Sequence, residues 1–426
     1  MAWILFGGFI LLMFAGVPAI LALSVSSIIA LIWVGFGDAL YIVPQQMLDG
    51  VENDTLLAIP FFILAGNIMN RTGISDRIFN FSNALVGRFR GGLAQVNVLA
   101  SLIFSGGSGS ALADIAGIGT IEIEAMRKHG YPVDFSGALT IVTSMLGPML
   151  PPSIGLIVYA YLSETSVARL FLATLLPGLL LAVLLMVYVA FVSNRRQFPK
   201  EEPASIKQIA ETGIHGLGAL LAPAIILGAI FTGFVTATEA GVLACVYTML
   251  LGLLYRSLDW PGFLKAIRDT AFSTTFIMMI IGVSALVGWL VAIEQLPQAM
   301  ASVIMDTVDN KTVFTFILVI FLLVIGCFIE SVPAKIILVP ILLPILDHFA
   351  IDRVQFGVML TLALSIGIAT PPMGVGLFIV SRIANHPIER LTVAILPMML
   401  PLVLLLFLLS YIPAFSLWLP ELVMGP

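Results

Sequence analysis

The sequence has little charge, little cysteine and little histidine for its length. Only 10% of its 426 residues are charged and 60% are hydrophobic, and it holds two cysteines and four histidines. An ordinary soluble domain, in which about a quarter of the residues are charged, is therefore excluded. No Cys or His spacing indicates a zinc or redox site, and no basic patch with interleaved aromatics indicates nucleic-acid binding. No catalytic constellation is evident either, so the sequence predicts a protein that is not an enzyme.

Long apolar runs are abundant instead. Residues 171–192 carry no charge over 22 positions, which is enough for a helix to cross about 30 Å of hydrocarbon. Several such runs follow one another, so the predicted fold class is an all-α polytopic membrane protein. We predict two re-entrant helical hairpins at 93–128 and 313–347, together with ten spans at 3–22, 23–43, 55–70, 136–162, 166–193, 216–235, 238–256, 273–294, 355–384 and 391–415.

Two of these spans carry the same interruption. Residues 147–152 read Gly-Pro-Met-Leu-Pro-Pro, and residues 367–372 read Gly-Ile-Ala-Thr-Pro-Pro. Proline removes a backbone donor and glycine weakens a helix, so both spans are predicted to be broken. Broken helices survive in a membrane only where the freed backbone is buried or lines a cavity. Such a pair in corresponding halves indicates the binding site of a secondary transporter.

Each broken span follows a predicted hairpin. The first hairpin has short arms around Ser-Gly-Gly-Ser-Gly-Ser at 105–110, a segment expected to interrupt the helix. The second has arms around Gly-Cys-Phe-Ile-Glu-Ser at 326–331. Ser110 precedes Pro151 by 41 residues, and Glu330 precedes Pro371 by the same number. The two halves are therefore predicted to be structural repeats.

The basic residues predict the orientation of the chain. With both termini on the periplasmic side, fifteen of the 19 Lys and Arg residues lie on the cytoplasmic side, three lie outside, and Lys335 lies in the second hairpin. This asymmetry follows the positive-inside rule and places the hairpins on opposite sides, so the repeats are inverted. The predicted divisions are scaffold spans 1–70, an interfacial arm helix 71–92, transport half 93–193, a cytoplasmic linker 194–215, scaffold 216–294 with an interfacial helix 260–271, a periplasmic arm 295–312, transport half 313–415 and a periplasmic tail 416–426.

The hairpin tips and the breaks offer hydroxyl and carbonyl oxygens at mid-membrane depth. Sodium requires five or six such oxygens, and glycine allows carbonyls to converge. We therefore predict one Na⁺ site between the first tip and the first break, and a second between their counterparts. The alternative is that glycine and serine only allow close helix packing. The candidate sodium ligands are Ser105, Ser108, Gly109, Gly147, Pro148, Pro151, Gly326, Ser331, Gly367, Thr370 and Met373.

Four further residues have both a functional and a structural interpretation. Glu330 is a carboxylate in a membrane segment, which indicates a functional site, but it could pair with Lys335 or cap the next helix. Lys335 could instead hold an anion. The negative charge of Asp114 could stabilise a helix dipole as readily as it could take part in transport chemistry. Thr236 begins a Thr-x-x-Glu sequence that is typical of a capping box.

Several long motifs resemble one known family. They are FSGGSGSALADIAGIGTIEIEAMRKHGY at 104–131, LGPMLPPSIGLIVYA, TGFVTATEAGVLACVY, FIESVPAKIILVPILLPI and IGIATPPMGVGLFIVSR, in this order over essentially the whole chain. They resemble the large membrane subunit of the tripartite ATP-independent periplasmic (TRAP) transporters. The resemblance implies an elevator-type fold with scaffold and transport domains in the bacterial inner membrane. It also implies sodium-driven uptake of an organic acid.

The resemblance further implies two partners: a periplasmic substrate-binding protein and a separate four-span small membrane subunit. By position, Ser110, Ser153 and Glu330 match the places where sialate-type members are thought to contact substrate. Glu330 stands where those members carry Asp, and Gly107 stands where they carry Met. Sialate, a C4-dicarboxylate and another sugar acid therefore all stay open as substrates. The alternative function is a channel-like protein, or a sodium/anion symporter that works without a binding protein.

Overall fold

A computed structural model describes residues 3–36, 40–200, 203–296, 298, 304, 307–372 and 374–425. All regular secondary structure in these residues is helical. This agrees with the all-α prediction, because apolar segments of this length satisfy their backbone polar groups within a membrane by forming helices.

Outside the two hairpins, the broken spans and the C-terminal helices, the described residues form eleven helices. Two short π-helices, Trp3–Gly7 and Ile32–Phe36, flank the helices of the first two predicted spans. The N-terminal α-helices are Gly8–Phe14, Ala19–Leu31, Ile42–Asp49, Ala58–Arg71 and Ile74–Val86, and the central ones are Val167–Arg196, Ile206–Phe231, Ala237–Leu254 and Trp260–Ile293. The predicted capping box is present, because the Thr236 side chain accepts from the amide of Glu239 and the Glu239 side chain accepts from the amide of Thr236.

The first hairpin consists of Gly92–Ser108, Ala111–Ala116 and Ile118–Lys128. Its first helix continues through most of the glycine-rich segment that was expected to interrupt it, and stops only at Ser108. The expectation was wrong there because glycine also accepts ordinary helical angles. Of the three glycines only Gly109, with φ of 61°, leaves the right-handed helical region, and Ser110 after it is extended.

The first broken span follows directly. It consists of Val133–Thr143, Leu146–Met149 and Ile154–Ser163, and its two ends are bent by 43° at the predicted break. The peptide bond between Pro151 and Pro152 is cis.

The second half has the same order of elements. Its hairpin consists of Lys311–Phe328 and Ser331–His348, and its broken span of Arg353–Gly367 and Val375–Ala384. The Pro371–Pro372 bond is also cis. Each hairpin tip is only two residues long, 109–110 in the first and 329–330 in the second. The chain then forms Ile388–Ile395, a 3₁₀ turn at Leu396–Met398, Met399–Tyr411 and Ala414–Met424.

Three connecting segments differ from their predicted form. The linker predicted at 194–215 becomes helical at Ile206, where Ser205 and Gln208 form a second capping box. The interfacial helix predicted at 260–271 is not separate from the following span, because no glycine or proline lies between Gly262 and Gly282 to end the helix. The predicted tail is helical over Ala414–Met424.

The number of spans depends on how the bent and short helices are counted. Among the described residues, seven helices are long and apolar enough to cross a membrane, and one bent pair makes up to eight. Two of the seven are the arms of the second hairpin, whereas the helices of the first two predicted spans are shorter. The ten-span count therefore stays a prediction.

The contact between the halves is deeply buried. Every residue from Val354 to Gly367 is buried, as expected of a helix that is apolar on all faces. The hydroxyl of Tyr159, in the first broken span, donates to the carbonyl of Arg353 at 2.5 Å. A Cβ on Gly357 would lie 2.4 Å from the Tyr159 ring, so the glycine allows the two broken spans to touch.

Candidate functional site

A cavity of about 510 Å³ lies where the hairpins, the broken spans and the scaffold meet. Both tips reach it, although they are about 220 residues apart in sequence. Its polar lining consists of Asn67 and Asn70 from Ala58–Arg71, Ser108 and Ser110 from the first tip, Ser273, Glu330 and Ser331 from the second tip, and Ser365. Its apolar lining includes Pro148, Phe272, Phe276 and Ile277.

Ser110 and Glu330 occupy equivalent positions at the two tips. Each is the N-cap residue of the second arm of its hairpin, and neither side chain makes a capping hydrogen bond. Ser110 is half-buried and Glu330 is exposed, and both line the cavity. Glu330 is absent from the ion pairs of the described residues. A side-chain cap therefore does not account for the position of Glu330, and its interaction with Lys335 is electrostatic rather than a contact ion pair among the described residues.

The first tip packs tightly against the first broken span. A Cβ on Gly109 would lie 2.2 Å from the carbonyl oxygen of Pro152, and Gly109 also has a positive φ. Ser108 donates from its hydroxyl to Oδ1 of Asp114 and accepts from the amide of Ser110 at 3.4 Å. The tip is thus held by a serine that bonds to a buried carboxylate one turn further along the chain.

Asp114 has one oxygen without a hydrogen-bond partner. The side chain is 0% exposed, and Oδ2 has no partner among the described residues. A Cβ on Gly147 would lie 2.6 Å from Oδ2 and 3.0 Å from the carbonyl carbon of Ser110. An unpaired buried carboxylate oxygen is costly, and a cation bound to Oδ2 would offset that cost. Gly147 lies at this contact and Gly109 lies against Pro152, and the first sodium site stays a prediction.

The second tip and the second break meet through backbone. A Cβ on Gly367 would lie 1.9 Å from the carbonyl oxygen of Gly326. Thr370 donates from its hydroxyl to the carbonyl of Ile366 at 2.9 Å, and its amide donates to the carbonyl of Gly367 at 3.0 Å. These contacts bring Gly326, Gly367 and Thr370 together, while Ser331 faces the cavity. Met373 lies outside the described residues.

Seven predicted site residues of the described part lie outside the cavity lining, and four of them, Gly147, Gly326, Gly367 and Thr370, are at the contacts given above. The other three are Ser105, Pro151 and Ser153. Ser153 is fully buried, and its hydroxyl accepts from the amide of Leu156 at 3.4 Å as an N-cap. Ser105 is fully buried and donates to the carbonyls of Ser101 and Leu102. Pro151 is buried with its carbonyl 4.0 Å from the Cβ position of Gly106. These three residues lie behind the walls of the cavity. The predicted site residues that line the cavity are Ser108, Gly109, Ser110, Pro148, Glu330 and Ser331.

A buried polar network behind the first tip was missed by the sequence reasoning. Asn97 donates to Thr140 at 2.8 Å and accepts from Thr143 at 2.7 Å. Ser101 donates to Oε1 of Glu122 at 3.3 Å, and Glu122 is 0% exposed. The signal was present in the spacing of Asn97, Ser101, Ser105 and Ser108, which places four polar side chains on one face of a helix.

The scaffold side of the cavity was also missed. Asn67 donates to Thr270 at 3.0 Å, and one turn further Arg71 pairs with Asp269 at 2.6 Å. These bonds join two helices, Ala58–Arg71 and Trp260–Ile293, that both line the cavity. The sequence carries no sign of this pairing, because about 200 residues separate the partners.

The comparisons with known proteins agree on one family. The family model for the DctM component of the tripartite ATP-independent periplasmic transporters matches residues 6–415. The large permease protein SiaM of the sialic acid TRAP transporter of Vibrio cholerae is 42% identical over 420 residues, which cover 98% of each chain. The large permease protein DctM of the C4-dicarboxylate TRAP transporter of Pseudomonas aeruginosa is 37% identical over 377 residues, with 88% of each chain covered.

A solved structure extends the likeness to the fold. The Alcanivorax borkumensis YdaH transporter has a TM-score of 0.62 with this chain, at 16% identity and with 90% of each chain covered. At that identity the likeness shows the fold alone. The family model and the two permease relatives show the family: this chain belongs to the large permease subunits of the TRAP transporters.

Proposed function

We propose that this chain is the translocating subunit of a sodium-coupled importer of an organic acid anion. The observation that carries this proposal is the cavity lined by Ser110 and Glu330, two equivalent residues from opposite halves whose side chains are free of capping bonds. Inverted halves that meet at a midplane site are the pattern of secondary transporters.

A sialic acid is the first candidate substrate, and a C4-dicarboxylate is the second. Both follow from what the Vibrio cholerae and Pseudomonas aeruginosa relatives are named for. The cavity chemistry favours the first. A carboxylate such as Glu330 accepts hydrogen bonds from hydroxyl groups but repels a second carboxylate. A substrate with one carboxylate and several hydroxyls therefore suits this cavity better than a small dianion.

Sodium is the proposed coupling ion at the two oxygen-lined contacts. At the first, the unpartnered oxygen of Asp114 and the carbonyls around Gly109 and Gly147 supply oxygen donors. At the second, the carbonyls of Gly326 and Gly367 and the hydroxyl of Thr370 supply them. When bound, the cation would neutralise negative charge beside the cavity. The residues at the two contacts hold the hairpin tips against the broken spans.

The remaining parts of the proposal concern movement, partners and placement. The two hairpins and broken spans form a transport unit that moves as an elevator against the scaffold. The chain works in the inner membrane with both termini periplasmic, beside a separate four-span small subunit and with a periplasmic binding protein that delivers the substrate. The positive-inside distribution of Lys and Arg supports this orientation.

The test uses the chain reconstituted in proteoliposomes with its small subunit and binding protein. An inward sodium gradient should drive uptake of labelled N-acetylneuraminate that depends on the binding protein, with succinate as the second substrate. Uptake that is unchanged when potassium replaces sodium would reject the coupling. Uptake in the absence of the binding protein would reject delivery of the substrate by that protein. It would favour the alternative function, a symporter or a channel-like protein.

A further inference from the structure

Lys335 is a buried lysine whose charge interacts with that of Glu330 but which has no contact partner among the described residues. It lies in the second arm of the second hairpin, and its side chain is 0% exposed. Its Nζ has no hydrogen-bond partner among the described residues, and none of their ion pairs includes it. A buried ammonium without an anion in contact is unfavourable, so a fold that keeps one has a use for the charge.

The ammonium lies at the wall of the cavity. A Cβ on Gly155 would lie 2.6 Å from Nζ, so the ammonium occupies the space that a side chain at this position would take. Gly155 itself lines the cavity. Lys335 thus reaches from the second half across to the first, and only the backbone of a glycine separates its charge from the substrate space.

The surroundings of the ammonium add to its positive potential. Gly155 lies in the first turn of Ile154–Ser163, and Lys335 lies near the start of Ser331–His348. These two helices pack against each other. The first amides of a helix have no acceptor within that helix, so each start carries a partial positive charge. Glu330 on the same hairpin lines the cavity and interacts electrostatically with Lys335, but it makes no contact ion pair with Nζ among the described residues.

We propose that Lys335 is the charge that makes the cavity selective for a carboxylate. This inference rests on the proposed function and names one of its determinants. The ammonium attracts the acid group of the substrate to the Gly155 wall, while Glu330 at the tip of the same hairpin receives its hydroxyl groups. Lys335 is therefore a specificity-determining residue that acts across the wall of the site.

The test compares Lys335→Met with wild type in the reconstituted complex. Methionine keeps much of the side-chain volume and removes the charge. The KM for the acid that the wild type transports, N-acetylneuraminate or succinate, should rise by roughly 10- to 100-fold, with a smaller change in kcat. If that acid is N-acetylneuraminate, its methyl ester should inhibit the variant about as well as the acid does, whereas wild type should prefer the acid.

Two further measurements separate this role from a structural one. Removal of an unpaired buried charge should leave the melting temperature of Lys335→Met unchanged or raise it, whereas loss of a structural ion pair would lower it. The double variant Glu330→Gln/Lys335→Met should stay impaired. Recovery of wild-type KM in the double variant would show that the two residues only neutralise each other, and would overturn the proposal.

The outcomes also distinguish this inference from the proposed function. If wild type takes up neither acid with sodium, the proposed function fails and this inference fails with it. If wild type transports an acid and Lys335→Met has unchanged KM and unchanged preference for the acid, only the inference fails. Should Lys335→Met not fold, Lys335→Gln provides the same measurement with a polar side chain.

Discussion

Gly109 shows how closely single residues are fitted at the first tip. Its φ is positive, and a Cβ would lie 2.2 Å from the Pro152 carbonyl oxygen. We expect Gly109→Ala to lose about 1–3 kcal/mol of stability, because both the backbone angle and the contact would be strained. The measurement is thermal unfolding in detergent. Gly228→Ala is the control, since Gly228 lies inside a helix with nothing within 4 Å of its Cβ position, and it should be neutral or stabilising.

Asp114 provides a test of the first sodium site. Asp114→Asn keeps the shape but removes the negative charge of the unpartnered Oδ2. The sodium concentration for half-maximal uptake should rise by roughly tenfold or more, because charge-assisted contacts are about twice as strong as neutral ones. Glu122→Gln is the matched control, because Glu122 is equally buried and also has an unpartnered oxygen but bonds to Ser101 and is not among the atoms next to Gly147, so its sodium dependence should not change. Equal effects of the two variants would contradict a site at Asp114.

The elements with strong local signals were predictable from sequence. Proline pairs end helices whatever surrounds them, so both broken spans were predicted at the positions where they occur. The capping box at Thr236 is equally local and was predicted. The exact tips were not, because glycine accepts both helical and left-handed angles, and only packing against Pro152 selects Gly109 as the residue that turns.

The parts of the site that depend on distant partners were not predictable. Ser153 was expected to face the substrate, yet its hydroxyl caps its own helix. The pairing of Asn67 with Thr270 and the position of Lys335 over Gly155 arise only when separate helices pack. A single sequence does not show which distant residues come into contact. The spacing of prolines and glycines, in contrast, can be read from it directly.

The close contact between the second hairpin and the second broken span gives a prediction for a whole element. Gly367→Ala would place a Cβ 1.9 Å from the carbonyl oxygen of Gly326, so the hairpin must move away from the break. We expect uptake to fall by at least tenfold, together with loss of any stabilisation by sodium in thermal unfolding. Gly288→Ala is the control in a scaffold helix, because nothing lies within 4 Å of its Cβ position. Wild-type uptake by Gly367→Ala would argue against a functional contact here.

The whole molecule is proposed to work by relative movement of two units, and the contact between them can be locked. A Cβ on Gly106, in the first hairpin, would lie 2.9 Å from Cβ of Pro223, in a scaffold helix. A disulfide needs Cβ atoms about 3.5–4.5 Å apart, so a small shift would allow Gly106→Cys and Pro223→Cys to be joined. The chain must first have Cys245 and Cys327 replaced by alanine.

In an elevator, this disulfide would join the moving unit to the fixed one. Oxidation of the double variant should therefore stop uptake, and reduction should restore it, while each single cysteine variant should respond to neither treatment. Mass spectrometry of the peptides measures the extent of cross-linking in the same sample. A fully cross-linked complex that still transports would mean that the first hairpin and the helix Ile206–Phe231 travel together, and the boundary between the moving and fixed units would then lie elsewhere in the fold.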